Sequence, residues 1–210
     1  MNSLLPSSKT NFINPETAEL EIKYLPGSPR IYRFDASRGI FTLAGETNLT
    51  KKGSAFSFTP VAYRLFTDDI LGYGRKRWAE FFFVNDAGHL CHLMFHGYSV
   101  ENLLQKTDDL YYDGVNLTQV RLTAKPIEKI KELPEGNNKY FIAEFSYQVL
   151  EKEEQQNVQQ INKALKIWRK GTLTGDAEIE LSIGYAAPFQ HLSEDHKTDT
   201  QIPTKHKKAA

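Results

Sequence analysis

The sequence predicts a mostly β domain, an OB-fold-like β-barrel with a short internal helix and a longer C-terminal helix. Three observations carry this. Trp78–Val84 and Leu90–Phe95 flank Asn85-Asp86-Ala87-Gly88, the clearest hairpin signature of the chain. Residues 55–66 and 140–150 have the composition and alternation of strands. The element order (strands, a hairpin, a short helix, two more strands) is that of a five-stranded Greek-key barrel. A generic β-barrel or α+β domain fits the order almost as well.

Residues 1–18, rich in Ser, Asn, Thr and Pro, predict a flexible N-terminal arm. A single domain is expected over 19–187 and a disordered tail over 188–210. Residues 19–24 alternate weakly and predict an edge strand; Pro26-Gly27-Ser28-Pro29 is a turn. Residues 31–34 and 39–43 predict short strands, and 45–53 a polar loop ending in Lys51-Lys52-Gly53. In 55–66 the side-chain parity switches near Pro60, which predicts a bulge or bend. Ser99 reads as the N-cap of a helix running to about Lys106. Residues 117–124 and 140–150 return to strand. Over 151–170, Val158, Ile161, Leu165 and Trp168 recur at spacings of three and four, one apolar helix face closed by Gly171. A last strand is expected within 177–185.

Composition bounds the function. The chain has 210 residues, 40% hydrophobic and 12% aromatic, enough for one real core. Twenty-six Lys+Arg balance 26 Asp+Glu, so a nucleic-acid reading needs a local patch. Cys91 is the only cysteine, which excludes an intramolecular disulfide and a multi-cysteine zinc site. No run approaches 18 apolar residues and no secretory pattern opens the chain. The expectation is a cytoplasmic protein with no membrane contact; the two Asn-Leu-Thr sequons are then chance matches.

A local patch exists. Residues 22–80 hold ten Lys and Arg against five Asp and Glu, an excess of five positive charges. Tyr24, Tyr32, Phe34, Tyr63, Tyr73 and Trp78 are interleaved with them. Cations along phosphates and rings beneath bases are how single strands are held without sequence preference. The same composition also suits an ordinary sheet, whose rings pack inside and whose outward cations keep it soluble. The leading expectation is non-catalytic binding of single-stranded nucleic acid, in the first place DNA. Lys51, Lys52, Arg64, Arg75, Lys76 and Arg77 are assigned to phosphates; Tyr63, Tyr73 and Trp78 are assigned to bases. A protein-interaction or structural module is the alternative, with helix 151–170 pairing with a second copy or a partner. An enzyme without a recognisable motif comes third.

No cofactor is expected. His89, Cys91, His92 and His96 invite a metal reading, but neighbours on a strand point to opposite faces. His92 and His96 lie about 13 Å apart along an extended strand, too far for one zinc ion. Asp68-Asp69 and Asp108-Asp109 are adjacent pairs that do not converge on one site. Gly72-Tyr73-Gly74 lacks the third glycine and following helix of a dinucleotide loop.

Overall fold

The computed structural model describes residues 12, 14, 16–17, 19–72, 74–132, 134, 136–171 and 173–186. Tyr73, the tail 188–210 and most of the arm 1–18 lie outside the described residues. Phe12, within the arm, is buried, and its carbonyl accepts from the Glu21 N–H at 2.7 Å.

The chain is mostly β with short helices. The strands are β1 Arg30–Asp35, β2 Ile40–Leu43, β3 Thr47–Asn48, β4 Phe56–Phe58, β5 Pro60–Asp68, β6 Lys76–Val84, β7 Leu90–His96, β8 Val120–Lys131, β9 Asn138–Val149 and β10 Glu178–Ile183. The helices are α1 Tyr98–Leu104, α2 Thr107–Tyr112 and α3 Lys152–Ala164. A seven-stranded sheet runs β10-β5-β6-β7-β1-β2-β3, and a three-stranded sheet runs β4-β8-β9. The two sheets are stacked on a shared core and do not close into a barrel. Strand β1 joins β7 in parallel; β5–β6–β7 is an antiparallel meander.

Alternation along β5–β7 defines two faces. Tyr63, Leu65, Ala79, Phe81, Phe83, Cys91, Leu93 and Phe95 turn inward to the smaller sheet. Rings meet across the gap: Phe58 and Phe81 at 5.4 Å, Phe95 and Phe145 at 5.0 Å. The outer face is also covered. Ala62, Phe82, Val84 and Leu90 pack with Phe12, Val158, Ile161 and Ile167. Strand β5 is therefore buried almost throughout its length.

The edge of β9 is sealed rather than open. The Phe141 N–H donates to the Ala36 carbonyl at 2.7 Å, the Ala143 N–H to Ser99 Oγ at 2.9 Å, and Asn102 Nδ2 to the Ala143 carbonyl at 2.9 Å. Backbone groups at a sheet edge invite pairing with another chain unless they are covered. Ser99 thus serves the sheet and not a helix cap; α1 begins two residues earlier than expected, at Tyr98, with Gly97 at the cap position.

Helix α3 ends at Ala164, short of Gly171, because Leu165 turns extended. The following residues bridge to Gly27 and Tyr185. Tertiary pairing overrides helix propensity here. Val158 and Ile161 are spent on this chain's own sheet, and Asn162 Nδ2 donates to the Val61 carbonyl at 2.7 Å. The expected partner-binding stripe is an internal contact. Among the described residues, no helix is long and apolar enough to cross a membrane.

Candidate nucleic-acid interface

The assigned residues separate into three groups. Tyr63, Arg64 and Trp78 are enclosed. Tyr63 lies in the inner core, and burial pushes its hydroxyl up to about 12. Arg64 is 2% exposed and its Nε is bonded to Glu80 Oε2. Trp78 is buried, donates Nε1–H to the Asp68 carbonyl at 3.1 Å and leans on His96 at 4.8 Å. None of these has a face left for a base or a phosphate, which corrects the assignment made from sequence. Both faces of β5 are covered, and the outer cover buries Arg64.

Arg75 and Arg77 are exposed but engaged. Arg75 pairs with Glu178 at 3.0 Å and donates to the Asp176 carbonyl at 3.0 Å; Arg77 pairs with Glu180 at 3.0 Å. They tie β6 to β10 across β5, and their charge is locally balanced. Strand alternation sends Lys76 to the opposite face from Arg77.

The third group, Lys51, Lys52 and Lys76, lines two grooves that flank one turn. Lys51 and Lys52 line an open groove with Arg38, Asn48 and Thr50. Lys76 lines a second groove of about 300 Å³ with Phe34, His96, Tyr98, Tyr140 and Phe141. The turn at 35–38 joins the two. Ser37 and Arg38 face the first groove and Ala36 the second, and the Ala36 carbonyl anchors Phe141. Lys52 Nζ sits 5.1 Å from the centre of the Phe141 ring, a cation–π contact that bridges both.

The turn is built by Asp35. Its Oδ1 accepts from the Ser37 and Arg38 N–H groups at 3.0 Å each, and its Oδ2 pairs with Arg38 Nε at 2.6 Å. Burial works against the charge, but these hydrogen bonds prevail and hold the carboxyl at about 2. Gly39 completes the turn at φ +66°, and a Cβ there would stand 2.6 Å from the Phe141 ring. Gly39→Ala is expected to destabilise by about 1–2 kcal/mol from the left-handed backbone alone. It also displaces Phe141, so chemical denaturation and the accessibility of Tyr98 should change together.

Charge around this turn is positive. Arg38, Lys51, Lys52, Lys76 and Lys139 face two carboxylates, Asp35 and Glu128. Glu128 pairs with Lys139 at 3.0 Å and Lys52 at 3.4 Å, and the Lys139 bond chiefly lowers its pKa. Lys51 and Lys76 enter no ion pair among the described residues. Tyr98 is 64% exposed, a ring at the groove mouth with a free face. Tyr98, Tyr140 and Phe141 were missed from sequence. Tyr98 follows β7, the partner of β6, whereas Tyr140 and Phe141 lie far along the chain and reach the site only through the fold of β9 across the 35–38 turn.

The histidines and Cys91 have separate roles. Cys91 is core, His89 Nδ1 contacts Arg30 Nη1 at 3.0 Å, His96 packs on Trp78, and His92 joins a buried charged cluster. Comparison with protein-family models, with curated proteins and with solved structures gives no match.

Proposed function

We propose that the chain binds single-stranded nucleic acid, without catalysis, at the corner where the basic groove meets the aromatic groove. The observation that carries this is their continuity through Lys52 and Phe141. Lys51, Lys52 and Lys76 supply cations at phosphate positions, and Tyr98 and Tyr140 supply ring faces for bases. This keeps the OB-like mode of single-strand capture, in which rings and cations alternate along a groove, and does not require a closed barrel. Arg75 and Arg77 contribute at most long-range attraction.

Fluorescence anisotropy with a labelled oligothymidylate at low and moderate salt tests the reading. Affinity is expected at low salt and should fall as salt rises, because phosphate contacts release counterions. Lys51→Glu with Lys52→Glu should reduce affinity by about tenfold or more and flatten the salt slope. Tyr98→Ala should cost about 1–3 kcal/mol of binding. No binding at low salt, or binding indifferent to salt, removes the proposal. The interaction-module alternative has lost its anchor, since Trp78 is buried and Trp168 is half-buried against Gly27.

A further inference from the structure

We propose that residues 165–171 and 173–177 form an acid-released strap over the outer face of the larger sheet, with His92 as its latch. The strap leaves α3, runs past Gly27 and ends where β10 joins the edge of the sheet beside β5. Its fastenings are specific. Tyr24 Oη donates to the Trp168 carbonyl at 2.7 Å and accepts from the Trp168 N–H at 3.1 Å; the Ala186 N–H donates to the Ile167 carbonyl at 2.7 Å. Gly27, at φ +74°, lets the Trp168 ring lie where a Cβ would stand 2.5 Å from it.

Beneath the strap lies a cluster of charges. Glu80 on β6 is fully buried, and Arg64 on β5 and His92 on β7 are 2% exposed. Glu80 meets Arg64 through Oε2, His92 Nε2 at 2.8 Å and Arg169 Nε at 3.4 Å through Oε1. Arg169 Nη1 is 3.4 Å from His92 Nδ1. Tyr185, just past β10, covers the Arg64 guanidinium at 4.1 Å, and Arg33 on β1 adds positive potential at Arg169.

The tautomer follows. A guanidinium can only donate, so His92 Nδ1 must accept and Nε2 carries the hydrogen; Glu80 Oε1 lies 2.8 Å from Nε2 but off the line of a hydrogen bond. With neutral His92 the cluster holds two cations and one anion. Protonation at Nδ1 turns the acceptor that faces Arg169 into a second donor and adds a third cation to a buried site. Arg169 is the member carried by the strap, and Arg64 belongs to β5 of the sheet.

Burial, then Arg169 and Arg64, depress the His92 pKa from 6.5 against the pull of Glu80. Opening the strap restores an ordinary imidazole, so opening takes up a proton below about pH 6.5. The closed strap is thus favoured at neutral pH and weakened as pH falls towards the depressed value. Asp68 anchors Thr174 at the other end, and hydrogen bonds lower its pKa, so it lets go at more acid pH.

Hydrogen–deuterium exchange on the full chain between about pH 7.5 and pH 4, corrected for intrinsic rates, tests this. Strap peptides should exchange at least about tenfold faster at the acid end while β5–β7 stay protected. His92→Gln keeps a donor and an acceptor but cannot titrate, and should abolish the transition. In case that variant does not fold, nitrogen NMR of the wild-type imidazoles should show His92 as the Nε2–H tautomer, titrating at the same midpoint as the strap amides. An unchanged strap, strap and sheet opening together, a persistent transition in His92→Gln, or an Nδ1–H tautomer each overturns the proposal. Oligonucleotide binding is not part of the readout.

Discussion

Replacing Glu80 by alanine is expected to remove about 3–5 kcal/mol of folding stability, because it strips the counter-charge from a buried pair. Arg64 and Arg169 would then face each other across a neutral imidazole, with Arg64 unable to reach water. Glu80→Gln separates charge from shape. It retains the side-chain outline and one acceptor, and it should still lose a large part of the same stability. Urea denaturation at neutral pH measures both. A loss below about 1 kcal/mol for Glu80→Ala would mean that the cluster is solvated in solution. Folding should also weaken in acid, since Glu80 carries a lowered pKa through His92 and Arg64 despite its burial. A carboxylate with a depressed folded pKa stabilises above its unfolded value, and that contribution is lost as pH falls through the folded one.

Phe56→Ala is the second large effect, at about 3–5 kcal/mol. Phe56 belongs to the smaller sheet but stacks on Phe41 at 4.7 Å and meets Tyr32 and Phe83 of the larger one at 5.9 and 6.0 Å. Its removal opens a ring-sized void between sheets that cannot collapse without moving β4. Strand β4 also ends the loop that carries Lys51 and Lys52. The denaturation midpoint should fall, and oligonucleotide affinity should fall further than in a destabilised variant remote from β4. Ile161→Ala, in the separate outer cluster, serves as that control.

The hairpin of β6 and β7 was legible because local chemistry decides it. Asn85 Oδ1 accepts from the Ala87 and His89 N–H groups, and Gly88 adopts φ +71°. The break at Pro60 was legible for the same reason. Helix α2 was not, since only Leu110 among its residues is buried and no apolar period marks it. Strand β8 runs seven residues past Ala124, through Pro126, to Lys131, held by pairing with β9 that a local reading does not contain. Half of the candidate site was visible as Lys51, Lys52 and Lys76. The burial of Arg64 could have been suspected: Ala62 and Phe66 share its face, and Trp78 and Phe82 flank Glu80 on the neighbouring strand. A strand apolar on both faces is covered on both.

The parallel contact of β1 with β7 has a kinetic consequence. The β5–β6–β7 meander can assemble from near neighbours, whereas β1 and β2 must return from far back in the sequence to extend it. Long closures of this kind come late and set the folding rate. The grooves lie on the seam where β1, the 35–38 turn and β9 meet, so the corner is among the last parts of the molecule to form. If the corner binds as proposed, capture would report finished molecules, and a ligand that prefers the finished corner would slow its reopening.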